Sequence, residues 1–100
     1  MTAAAQVIAQ LDALLAATPT PRAETEPDEL LTAFDDVAAS RAPLIAALAD
    51  TAPAVRDDPQ VRARYQELVQ RDRAWDDALV RARLVVGDRL TAVRRARAYR

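Results

Sequence analysis

The sequence predicts an all-α protein: a small antiparallel helical bundle or hairpin with one long C-terminal helix. Three observations predict it. After Pro59, residues 60–98 contain no proline and a single glycine, Gly87. Along that stretch Val61, Tyr65, Leu68, Trp75, Leu79, Ala82 and Val86 recur at 4-3-7-4-3-4 steps, with Asp72 filling the gap between Leu68 and Trp75. Leu90, Val93 and Ala96 continue the line, which is the spacing of one helix laying a stripe on partner helices. Two shorter segments upstream show the same periodicity, separated by proline-rich connections. Alanine, finally, makes up 24 of the 100 residues, a composition that favours helix but buries little area per residue.

One domain of this length buries roughly 60–70% of its unfolded surface. The first helix is expected over residues 3–17, capped by Thr2, with Val7, Ile8, Leu11, Leu14 and Leu15 on one face. Residues 18–27 carry three prolines and almost nothing apolar, and read as an extended linker. A second helix is expected over about 28–50. Asp28 and Glu29 stand in its electropositive first turn, and Leu30, Leu31, Phe34, Val37 and Ala38 mark its buried face. Pro43 cannot donate to the Ala39 carbonyl, so the helix either kinks there or restarts with Ser40 as a new cap; a kinked, nearly continuous helix is favoured. Leu44, Ile45 and Leu48 extend its stripe. Residues 51–58 form the next connection, and Asp58-Pro59 reads as cap plus first-turn proline of the long helix.

Charge is divided along the chain. Residues 1–60 hold ten acids and three Arg, a net of −7; residues 61–100 hold five acids and eleven Arg, a net of +6. An antiparallel bundle brings the acidic front against the basic long helix, which supports pairing and register. All 14 basic residues are Arg, a bias that GC-rich codon usage produces without any selection for guanidinium chemistry.

The same composition excludes much chemistry. No Cys and no His occur, so thiolate nucleophiles, disulfides and imidazole catalysis or ligation are out. Metal could be held only by carboxylates, and the pairs Asp35–Asp36, Asp57–Asp58 and Asp76–Asp77 are sequence neighbours that diverge on a helix. Gly87 alone cannot build a phosphate loop, and Ser40, the sole serine, has no base. A metal-free helical mutase of the chorismate type would need the Lys this chain lacks. We therefore expect no enzyme activity and no cofactor. The first residues lack a basic n-region and no apolar run approaches the length of a membrane span, so the protein is expected to be cytoplasmic. The Arg-rich stretch Arg89, Arg94, Arg95, Arg97, Arg100 raises nucleic acid as a partner, but the acidic front half and the helix dipole argue against it.

Two polar residues interrupt the apolar lines. Arg41 lies on the stripe of Phe34, Val37, Leu44 and Leu48, and Asp72 lies in the seam of the long helix. They are expected to meet as a partly buried ion pair that fixes register, with recognition of a partner peptide as the alternative. Tyr99, flanked by Arg, is either the last core knob or an exposed binding hot spot.

A short helix, a linker, Leu-Leu-x-x-Phe followed by Ser-Arg-Ala-Pro-Leu-Ile-Ala-Ala-Leu, and a long helix ending in Ala-Tyr together resemble the flagellar type III export chaperones of the FliT/FlgN kind. The resemblance covers roughly residues 28–100. Its main piece is Arg41-x-x-Leu44-Ile45-x-x-Leu48, followed by Leu68-x-x-x-Asp72 and the terminal tyrosine. It implies a non-enzymatic bundle that holds a filament-cap or hook-junction subunit before export, taking an amphipathic client helix on its apolar stripe. On that reading Leu79, Val80, Val86, Leu90 and Val93 face the client and Tyr99 contacts the export gate. A two-sided core or a homodimer interface explains the same wide apolar arc, and a self-associating structural or adaptor bundle is the competing class.

Overall fold

The computed structural model describes residues 2–99, and they form three helices with no strand among them. Helix α1 spans Ala3–Ala16, α2 spans Pro27–Thr51 and α3 spans Pro59–Ala98; a short 3-10 turn, Ala52–Val55, joins α2 to α3. Both expected caps form. The Ala5 amide donates to Thr2 Oγ1 at 3.1 Å, and the Gln60 and Val61 amides donate to Asp58 Oδ1 at 2.9 and 3.2 Å. Each satisfies amides that the first turn leaves unpaired.

Helix α2 runs through Pro43 without restarting, so Ser40 is an interior helical residue and not a cap. Pro43 is exposed, and on that side the carbonyl it leaves free can bond to water. The helix begins at Pro27 itself, one residue earlier than the expected start, because proline's fixed φ suits a first-turn position.

The core has two parts. At one end, Val7, Leu11 and Leu14 of α1 pack with Leu48 of α2 and Val61 and Leu68 of α3, a three-helix arrangement. Further along α3, Leu30 packs with Trp75, Ala78, Leu79 and Ala82, joined by Phe34 and Val37. Here only two helices meet, and the Phe34 and Trp75 rings lie 5.6 Å apart with a 44° tilt.

Where α1 ends, the proline-rich segment takes its place along α3. The expected extended linker is docked on α3 at its start as a strap. Thr18 is fully buried and its hydroxyl donates to the Leu14 carbonyl at 2.8 Å. Arg71 donates to the carbonyls of Leu15 and Thr18 at 2.6 and 3.1 Å, and the Trp75 indole donates to the Pro19 carbonyl at 2.6 Å. The Leu15 carbonyl also accepts from the Thr18 amide at 3.1 Å, and for the Thr18 and Pro19 carbonyls side chains of α3 supply the donors.

The molecule measures 68 × 21 × 19 Å. Its length is that of α3, whose 40 residues extend about 60 Å at 1.5 Å per residue. Helix α2 has 25 residues and cannot cover all of it. Beyond Val86 every described residue of α3 is exposed. No helix among the described residues is long and apolar enough to cross a membrane.

Candidate functional site

The uncovered end of α3 is the feature that the core does not explain. Leu90 and Val93 lie eleven residues, about three turns, beyond Leu79 and Ala82, and so fall on the same line of the helix. Leu79 and Ala82 are buried under Leu30, whereas Leu90 is 52% and Val93 48% exposed. The sequence pattern is continuous; only the cover stops. Val86, half-buried, stands at the border.

The expected client face therefore divides. Leu79 is a core residue, packed with Leu30 and Trp75, and is not available to a partner. Val80 is exposed, but it lies about 100° around the helix from Leu79, away from the seam. There it joins Leu84, one turn on and 63% exposed, and Val69. Leu84 carries the most exposed aliphatic side chain of α3 and was not among the expected residues. The i,i+4 spacing of Val80 and Leu84, on the face opposite the seam, is the signal that points to it.

Tyr99 is 90% exposed and is not a core knob. Arg94, Arg95 and Arg97 surround the apolar line of the free segment and form no ion pair with any described residue. Arg89 reaches Glu26 and Asp28 at 3.6 and 3.8 Å, the last contact between α3 and the start of α2. From Gly87 to Ala98 the helix carries four Arg and one acid, Asp88. The opposite sign lies next to it: Glu24 to Asp36 holds six acids and no Arg. The divided charge of the chain is thus only partly neutralised within the fold, by Arg64–Asp12 at 2.8 Å and by the long Arg89 contacts.

Arg41 and Asp72 form the expected pair, with guanidinium-to-carboxylate bonds of 2.8 and 3.3 Å. The pair sits between the two parts of the core, where α2 and α3 are in contact. It acts as a register pin, because sliding either helix by one turn would bury both charges against aliphatic side chains. Arg41 is mostly covered by the bundle, whereas Asp72 keeps 39% of its side chain exposed. Arg41 Nε finds no acceptor among the described protein atoms.

A groove of about 330 Å³ lies where the strap, the start of α2 and α3 meet, lined by Arg22, Pro27, Leu30, Arg81, Ala82 and Val85 among others. Its floor is apolar, and its polar side chains are the exposed Arg22 and Arg81 and the Thr25 hydroxyl. No group of three acids gathers as a metal site among the described residues. Partial burial of Tyr65, which packs against the edge of the core, pushes its phenol pKa above 10.0, the one clear titration shift among the described residues. The chemistry this surface offers is association: an apolar line flanked by cations. Compared with protein-family models, with curated proteins and with solved structures, the chain matches none.

Proposed function

We propose that this protein is a non-enzymatic binding module that takes an amphipathic helix of a partner protein on the uncovered segment of α3. The finer form of the reading is a cytoplasmic export chaperone for a flagellar cap or hook-junction subunit, with Val86, Leu90 and Val93 against the client and Tyr99 free for the export gate. One observation carries it: the apolar seam that packs α2 continues past the end of α2 with Leu90 and Val93 half exposed. A client helix laid antiparallel to α3 prolongs the line of α2 and buries both residues, the helix-in-groove mode of recognition. Burying the exposed half of these two aliphatic side chains contributes roughly 1 kcal/mol each. The flanking Arg residues favour a client with acids beside its apolar face.

The test is affinity capture from a lysate of the source cell, read by mass spectrometry. Three versions run in parallel: the intact chain, Leu90→Glu with Val93→Glu, and a chain ending at Ala98. Recovery of a flagellar cap or junction subunit by the intact chain, lost with the double substitution, is the expected result. Export-gate protein lost on removal of Tyr99 supports the finer reading. Equal capture by the double variant refutes the docking face, and recovery of soluble proteins unrelated to export refutes the chaperone assignment.

A further inference from the structure

We infer that, when no client is bound, the occupant of the uncovered seam is a second copy of this chain, the two α3 ends pairing antiparallel about Thr91 and Ala92. The inference rests on the reading of this face as a dock for an antiparallel helix. Register and charge carry it.

The register follows from where α2 stops. Arg41 bonds Asp72, Phe34 packs on Trp75, and Pro27 and Leu30 share a groove with Ala82 and Val85. Stepping back along α2 advances along α3, and α2 ends with Pro27 near the level of Val85. A second α3 laid end-on to α2 places its Ala98 near that same level. The rest is then determined. Leu90 faces the partner's Val93, Val93 faces the partner's Leu90, and Val86 lies beside the partner's Arg97. The arrangement is self-complementary under a two-fold axis, as closed dimers of identical chains require. A shift of one turn away from α2 sets Leu90 and Val93 against the partner's Arg97 and Arg94, and a shift of one turn toward α2 is blocked by the start of α2 itself.

The charges fit the same register. Arg89 holds Glu26 and Asp28 at 3.6 and 3.8 Å by reaching back toward the start of α2, so these carboxylates stand between the levels of residues 85 and 89. Those levels lie beside the partner's Arg94 and the partner's Arg97. The basic end of each helix thereby meets the acidic strap and first α2 turn of the other, where Glu24, Glu26, Asp28 and Glu29 stand without an Arg among them. The C-terminal end of one helix dipole also faces the N-terminal end of another. A parallel pairing would instead set the Arg clusters side by side. The interface is short, about 18 Å of helix on each side, which is the scale of a weak, transient contact. The dimer is accordingly reversible at micromolar concentrations, so that a client helix competes with the second copy for one seam.

Sedimentation equilibrium across concentration tests the pairing. The intact chain is expected to move from monomer to twice the monomer mass, and added salt is expected to weaken the association. Leu90→Glu with Val93→Glu is expected to raise Kd by about 30-fold or more. Neither residue touches the core, so Trp75 fluorescence and helical circular dichroism report that this variant stays folded. Arg94→Glu with Arg97→Glu is expected to weaken the dimer about tenfold. Mixing it with Glu26→Arg, Asp28→Arg restores complementary charges at both ends and recovers the association. Because the chain has no Cys, register is read directly: Leu90→Cys mixed with Val93→Cys is expected to form a mixed disulfide faster than either alone.

A monomer at every concentration overturns the pairing, as does a dimer unaffected by Leu90 and Val93 or a charge swap that fails to restore it. A monomer that still captures a client through Leu90 and Val93 overturns the pairing alone and leaves the docking face standing. A client held equally by the double variant removes the docking face itself.

Discussion

Replacing Asp72 by leucine is expected to destabilise the bundle more than replacing Arg41, although the two share a single ion pair. The side chains are unequally buried: Arg41 is 13% exposed and Asp72 39%. Once Arg41 is gone, the Asp72 carboxylate turns to water. Once Asp72 is gone, the guanidinium stays between two apolar clusters with its Nε already lacking an acceptor. Breaking a fully buried pair from one side costs about 3–5 kcal/mol, and an exposed pair is worth about 0–1. The geometry here lies between those limits. We expect a loss of about 2–3 kcal/mol for Asp72→Leu, about 1 kcal/mol for Arg41→Leu, and about 0–1 kcal/mol for the two together. The better helix propensity of Leu over Asp works against the first of these losses, which makes the test stricter. At about 4–8 °C per kcal/mol for a domain of this size, Asp72→Leu should lower Tm by about 10–20 °C. Urea and thermal unfolding followed by far-ultraviolet circular dichroism, assembled as a double-mutant cycle, measures all three. An Arg41→Leu protein that melts with the wild type, together with zero coupling in the cycle, would refute the register pin.

Four further outcomes are expected. Trp75→Phe keeps the ring against Phe34 but removes the donor to the Pro19 carbonyl, costing about 1–2 kcal/mol. Amide exchange in residues 20–26 should quicken while the core of α3 stays protected; unchanged exchange would mean that the indole does not hold the strap. Gly87→Ala meets no atom within 4 Å and no positive φ, so it should strengthen the free end of α3 by about 0.5–1 kcal/mol. The gain should be seen as increased ellipticity and as slower exchange over residues 84–98, with the main melting transition nearly unmoved. Pro43→Ala restores an interior helix bond and should stabilise by about 1–3 kcal/mol in urea titration; a lower midpoint would show that packing depends on the proline. Tyr65 ionises later in the folded than in the unfolded protein because burial raises its pKa. Its contribution is therefore complete below pH 10 and is lost as pH rises through the raised folded value. Alkaline unfolding of Tyr65→Phe should lack that part of the slope.

The helices were legible in the sequence because their signals are local. Thr2 and Asp58 can bond their own first turns, and the 3.6-residue period of Val61 to Val86 needs no knowledge of the partner. Arg41 and Asp72 were legible for a related reason: a charge placed in an apolar stripe demands an opposite charge across the antiparallel interface. The nearly continuous helix favoured through Pro43 is what forms: the stripe of Phe34, Val37, Leu44 and Leu48 carries on past the proline, and packing on both sides of it keeps the helix whole where Ser40 offered a competing cap. The strap was hidden. Almost nothing apolar marks residues 18–26, and the docking of Thr18 and Pro19 comes from Arg71 and Trp75, more than fifty residues away.

The candidate face divides in the same way. By itself, the sequence determined that α3 is apolar along its seam from Val61 to Val93, and that its end is basic while the front of the chain is acidic. It left Leu79 and Leu90 equivalent, since both occupy the same helical line. The tertiary structure alone decided that one is core and the other surface. Cover depends on where the shorter α2 ends against the longer α3, which is a difference in length between two elements that no periodicity in either one records.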